Sequence, residues 1–343
     1  IPVTLLGEAH KNEGLVKTFF INGDASQGVR PITCYYLIQN KQFVDCGEAT
    51  FKEIRGSMAG RKKSKPFNGY KLYSIFLPNN LKTKGKTVVI GSEALTDSKK
   101  VLHVPRNTTF VFNKNLIGKH LKIFLSSPKS SRILFLGSTI KDSTIEVSGN
   151  YVYEQPTSTD GGAIRYDRNH LTGCVTFTDS KIMNSSIEAN SLDCEDSVNL
   201  LRVDAEQLSV KITNASSDAL DADASTVSFL DVKVRNALND CLDLSYGSYT
   251  IENIDVSYCG DKGVSIGERS KLSFENASIQ NSDVGIAVKD SSELDLNNAS
   301  LKVGDLRICI AVYNKKQEFD QPKIHGVGSK NIPIDCKIPF GGQ

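Results

Sequence analysis

Ser217-Asp-Ala-Leu-Asp-Ala-Asp223 is followed, 22 residues on, by Asn239-Asp-Cys-Leu-Asp-Leu-Ser245. The apolar pair Leu220/Ala222 of the first string becomes Leu242/Leu244 in the second. The same stride leads back to Val198/Leu200 and forward to Val264/Ile266, Ile286/Val288 and Ile308/Ile310. Two further apolar pairs keep step. One runs Val227/Phe229, Tyr249/Ile251, Leu272/Phe274 and Leu294/Leu296; the other runs Val232/Val234, Ile254/Val256, Ala277/Ile279 and Ala299/Leu301. Each pair has the alternation of a short strand, and Gly, Ser, Asn and Asp separate the pairs.

Strands this short cannot bury an apolar face alone, so the repeat has to be stacked. The pattern predicts an all-β fold, a right-handed parallel β-helix with three strands per coil of about 22 residues. An ordinary β-sandwich would not hold three registers in step over four to six repeats. Upstream the grammar loosens: Val175/Phe177 precedes Val198/Leu200 by 23 residues, and Thr108–Phe112 and Arg132–Leu136 read as strands of earlier coils. The predicted organisation is a β-rich N-terminal module over 1–85, the β-helix over 86–320, and a tail over 321–343 that caps the last coil.

The 343 residues carry 41 basic and 39 acidic side chains, a balance that argues against a nucleic-acid binder driven by bulk charge. No apolar run approaches the length of a membrane span. The chain opens Ile1-Pro2 without methionine, which is expected of a processed form or a fragment. Its eight cysteines include no C-x-x-C pair, so a structural zinc site is not expected. They are read either as disulfides, with Cys34–Cys46 the most plausible local pair, or as buried thiols.

Alternation puts the residues between the first-strand apolar pairs on the outer surface. One outer column reads Asn199, Asp221, Asp243, Ser265, Ala287, Cys309, and its neighbour reads Leu201, Asp223, Ser245, Gly267, Lys289, Ala311. Asp196, Asp218, Asp240 and then Lys262 stand just before the strand. Five aspartates are therefore expected on two adjacent coils as an exposed acidic patch, with Asp196 one coil away. Like charges opposite each other on neighbouring strands are destabilising, so the patch calls for a cation, a partner or raised pKa values. Turn aspartates also serve local hydrogen bonding, and that reading has equal weight.

Two chemistries suit the patch. Asp218, Asp221, Asp240 and Asp243 have the oxygen-rich, flexible character of a calcium site, with Lys262 as a nearby base. Alternatively, Asp221 and Asp243 make an acid–base pair of the kind glycosidases use. No cofactor is required by either the fold or the charge balance, and Ca²⁺ is the one the patch suggests. His170, just before the Val175 strand, and the basic run Arg55–Lys65 are secondary candidates; a surface loop is the commoner role for each.

The strings quoted above, together with Gly260-Asp-Lys-Gly-Val-Ser-Ile-Gly-Glu268, Val284-Gly-Ile-Ala-Val-Lys-Asp290 and the strand Asn107–Phe112, resemble the pectate-lyase-like β-helix region of bacterial proteins associated with CotH-kinase-like domains. The resemblance covers about 86–320. It implies an extracytoplasmic protein, whether extracellular, periplasmic or on the cell surface, and ties to surface polymers; it carries over no catalytic residue. The expected function is binding or processing of a polysaccharide through the aspartates. The alternative is a non-catalytic rod for adhesion, or a subunit of a cell-surface assembly with a protein partner.

Overall fold

In the computed structural model, residues 87–90, 101–153, 171–315, 317 and 319–326 are described in full, with Lys86 and five N-terminal strands described by their backbone. The chain divides into two compact units, residues 1–84 with 166–170, and residues 85–165 with 171–343. In the first unit, Gly14–Asn22 pairs antiparallel with Val29–Leu37, which pairs in turn with Gln42–Phe43. Pro66–Phe67 and Tyr70–Lys71 form a separate two-stranded ribbon. The basic run 55–65, His170 and the pairing of Cys34 with Cys46 lie outside the described residues.

The second unit is a parallel β-solenoid of about nine turns. Its first strands stack in register: Ile133 on Val175, Val175 on Val198, Val198 on Leu220, Leu220 on Leu242, Leu242 on Val264, and Val264 on Ile286. These side chains and their partners two residues on fill the interior. Phe112, Phe135 and Phe177 form an aromatic stack there, with centroids 4.8 and 4.6 Å apart. That spacing matches the separation of neighbouring strands, about 4.8 Å, so one ring per coil packs without a gap.

Left-handed residues turn the corners, singly or, at Glu268/Arg269 and Asp290/Ser291, in pairs. After the first strand they are Asp179, Arg202, Ala224 and Tyr246, with φ of 52°, 55°, 49° and 53°. Before it they are Ser191, Asn214, Asn236, Tyr258, Asn281 and Asp305. Asn and Asp tolerate this conformation best, which accounts for their density in the sequence. Buried serines tie the corner that follows the first strand: Ser225 Oγ donates to Leu200 O while accepting from Val203 N, and Ser270 and Ser292 donate to Leu244 O and Ile266 O.

After coils of 22 or 23 residues, the stride lengthens to 24 near the downstream end. Ser273 still faces Asp295, but Asn276 faces Ser300, because the turn after Asp295 holds two extra residues. Ile286 therefore stacks on Ile310 and Val288 on Val312, which corrects the expected Ile308/Ile310. The third-strand pair shifts alike, from Ala299/Leu301 to Leu301/Val303. Lys323–His325, expected in the tail, adds a strand in register with Glu293–Asp295.

Two disulfides lie inside the solenoid, Cys174–Cys194 and Cys241–Cys259, and Cys309 is also disulfide-bonded. Each of these two pairs joins the start of a first strand to the corner about one coil later, closing a loop of 20 or 18 residues. Among the described residues there is no free cysteine.

Candidate functional site: the outer face of the first strands

Asp196, Asp218 and Asp240 occupy one outward column that continues into Lys262; Asp221 and Asp243 occupy the next, and Asp223 the one beyond. The fold thus brings the six aspartates together on successive coils. It does not expose them. Asp196, Asp218 and Asp240 are only 2%, 9% and 3% accessible, and Asp221, Asp223 and Asp243 are half-buried. Their outward neighbours Thr176, Asn199, Ser265 and Ala287 are buried too, so the expected exposed patch is a shielded polar face.

The column before the strand works as a ladder. Asp218 Oδ1 accepts the backbone amide of Asp240 (2.8 Å) and the side-chain amide of Asn239 (2.7 Å). Asp240 Oδ1 accepts the backbone amide of Lys262 (3.1 Å) and its ammonium (3.3 Å). Lys262 also pairs with Asp261. Asp196, at the upstream end, hydrogen-bonds the Thr172 side chain, while its Oδ2 has no hydrogen-bond partner.

Burial and mutual repulsion set the protonation. Asp218 is pushed up to about 7 by burial and then by Asp240 and Asp243, against the two amides that bond it. Burial and Asp243 raise Asp240 to about 6, with Lys262 opposing. Asp196 and Asp221 rise well above the carboxylate range, first through burial and then through their aspartate neighbours. Lys262 and Lys289 go the other way. Burial disfavours their charge, but Asp240 and Asp261 around the first, and Asp243 and Asp240 around the second, outweigh it and keep both protonated.

The strand residues are also held. Asn199 Nδ2 donates to Asp221 Oδ2 (2.7 Å), and Ser265 Oγ donates to Asp243 Oδ1 (2.8 Å). Asp221 and Asp243 are register partners on adjacent coils. Among the described residues, no three His, Cys, Asp or Glu side chains are grouped so as to hold a metal ion.

Sequence reasoning placed Lys289 in an outer column without giving it a role. The structure lays its 6% accessible side chain over Gly267, beside Ser245, with its charge held by Asp243 and Asp240. The signal was available in the stride, since Gly267 leaves an open floor one coil before Lys289. Downstream of it the face turns apolar, with Val284, Ala287 and Ala311 packed by Ile308 and Tyr313. The two-residue insertion puts Ala311 and Tyr313 at the ends of the outer columns, where Cys309 and Ala311 were expected. Tyr249 points inward and donates from its hydroxyl to Ala222 O (2.7 Å).

Compared with known proteins, residues 219–315 match the model of a family described as a right handed beta helix region. No curated protein and no solved structure matches the chain. Among the described residues no helix is long and apolar enough to cross a membrane.

Proposed function

We propose that this chain is an extracytoplasmic β-helix protein that binds or processes a polysaccharide through its first-strand face. The observation that carries the reading is one arrangement: half-buried Asp221, Asp223 and Asp243 flanked by carboxyls that titrate near neutral pH and by the ammoniums of Lys262 and Lys289. Neutral carboxyls donate hydrogen bonds, ionised ones accept them, and sugar hydroxyls need both. Asp221 and Asp243 are the acid–base candidates, with Lys262 the charge beside them. Because Asp218 and Asp240 each spend an oxygen on a backbone amide, sugar hydroxyls suit the face better than calcium does. Interior disulfides support an oxidising compartment outside the cytoplasm, and the bacterial cell surface named by the sequence resemblance is such a place.

A specific observation favours a second reading, the non-catalytic rod or assembly subunit. Asp218 and Asp240 act as acceptors that stitch one coil to the next, which is a structural task. Binding measured against a panel of acidic and neutral glycans, with and without Ca²⁺, separates the two. The first reading expects at least one glycan to bind and D221N/D243N to weaken it about tenfold or more, a change of about 1.4 kcal/mol. Failure of every glycan would leave the rod.

A further inference from the structure

A groove lies on a different face, formed by the third strands of the upstream coils, with a volume of about 370 Å³. Lys122, Glu146, Glu188 and Lys211 stack in register along one wall, one per coil. The opposite wall carries Ser148, Asn190 and Thr213, and its column continues upstream through Phe124 to His103. The floor between them is the chain at the inward residues Ile123, Val147 and Ala189. The groove therefore runs along the solenoid axis, crossing four coil steps of about 4.8 Å each.

Its chemistry differs from that of the aspartate face. The wall charges cancel in pairs, with Lys122 3.2 Å from Glu146 and Lys211 3.9 Å from Glu188. These side chains are accessible, at 35–60%, so a ligand reaches them without displacing packed structure. His120 adds a further contact to Glu146. Thr213 Oγ1 donates to Asn190 Oδ1 (2.6 Å), so this exposed amide and the threonine hydroxyl are held together on the wall. At the upstream end the rings of His103 and Phe124 stand 5.5 Å apart and tilted, on the outer surface.

We infer that this groove is a binding site for a neutral oligosaccharide chain lying along the solenoid axis. A balanced wall attracts no net charge, which disfavours a polyanion or polycation. Fixed donors and acceptors repeated on every coil suit a chain of hydroxylated rings, and an aromatic pair at one end offers a face on which a sugar ring can stack. The inference shares with the proposed function only its class of ligand, because the groove and the aspartate face use different strands.

The test is calorimetric binding of cellohexaose, maltohexaose and mannohexaose to the full chain, to E188Q/K211M and to D221N/D243N. Both pairs of substitutions replace side chains with near-isosteres, and Glu188 and Lys211 are at the surface, so folding is retained; circular dichroism checks it. The expected result is that at least one hexasaccharide binds, about tenfold or more weaker in E188Q/K211M. F124A should weaken the same ligand. Two results overturn the groove site: none of the three neutral probes binds, or binding survives E188Q/K211M. In the second case, a loss confined to D221N/D243N moves the ligand to the aspartate face and leaves the proposed function standing. Acidic glycans binding where all neutral ones fail would likewise remove only the groove.

Discussion

The carboxylate of Asp218 accepts the backbone amide of Asp240, one coil further on, at 2.8 Å. At that corner a side chain takes the place a carbonyl holds elsewhere in the ladder. The bond would favour an ionised carboxylate, yet burial and the aspartates around it raise Asp218 to about 7. The face is therefore held together by groups that are also close to losing their protons.

Stability should consequently fall as pH rises from 5 to 8, the reverse of ordinary acid sensitivity. Asp218 and Asp240, at about 7 and 6, lie above the unfolded value of about 3.9, so the folded chain binds more protons across that window. The stabilisation is complete below the unfolded pKa and is lost as pH climbs through the folded ones. Glu146 and Asp283, whose pKa values are lowered, act only at more acidic pH and leave the window clear. D218N keeps an acceptor for the Asp240 amide and should flatten the profile, raising stability at pH 8 by on the order of a few kcal/mol. Thermal melts across pH 5–8 read this directly. A melting temperature that rises toward pH 8 would contradict it.

Removing an interior disulfide should be costly. Replacing Cys241 and Cys259 by alanine frees a loop of 18 residues in the unfolded chain, a loss of about 3 kcal/mol on the chain-entropy account. Because both cysteines are almost wholly buried, a mild reductant should leave this bridge oxidised in the folded protein and reach it only in denaturant. Thiol counts with and without guanidinium would check the second point, and denaturant melts the first.

Most of the solenoid was legible because its signal is a period, and a period survives any uncertainty about single residues. Leu220, Leu242, Val264 and Ile286 share one interior column as their spacing required. What spacing does not carry is length change inside a turn: the polar stretch after Asp295 absorbs two residues with no mark in the apolar pattern, so the interior pair moves from Ile308/Ile310 to Ile310/Val312. Adjacency of the aspartates was legible for the same reason. Their burial was not, since alternation assigns a side chain to the outer face without saying whether that face meets water. Nor does sequence spacing show which turn aspartates accept an amide from the next coil.

Calcium at millimolar concentration should leave the melting temperature unchanged. Binding to the folded state alone would raise it by mass action, but Asp218 and Asp240 each have Oδ1 committed to a backbone amide, and the strand aspartates are bonded by Asn199 and Ser265. D221N/D243N removes two register-paired carboxyls, whose burial and mutual repulsion keep Asp221 protonated, and should stabilise the fold by about 0.5 kcal/mol. A calcium-dependent rise that the double substitution abolishes would restore the metal site read from the sequence.

The corrected register makes a last, sharp comparison. Ile310 is fully buried and stacks on Ile286, whereas Ile308 is half-buried and packs only on the small outer cluster around Val284. Ile310→Ala should therefore cost about 2–5 kcal/mol, in the range of a large-to-small change in a core, with Leu242→Ala alongside it. Ile308→Ala, with less apolar area to lose, should cost about 1 kcal/mol. An unbroken stride of 22 would bury both, Ile308 on Ile286 and Ile310 on Val288, and make the two costs alike. Denaturant melts of the two single variants decide between the registers, because a shift of two residues keeps both side chains near the same strand but changes which of them has the Ile286 side chain beneath it.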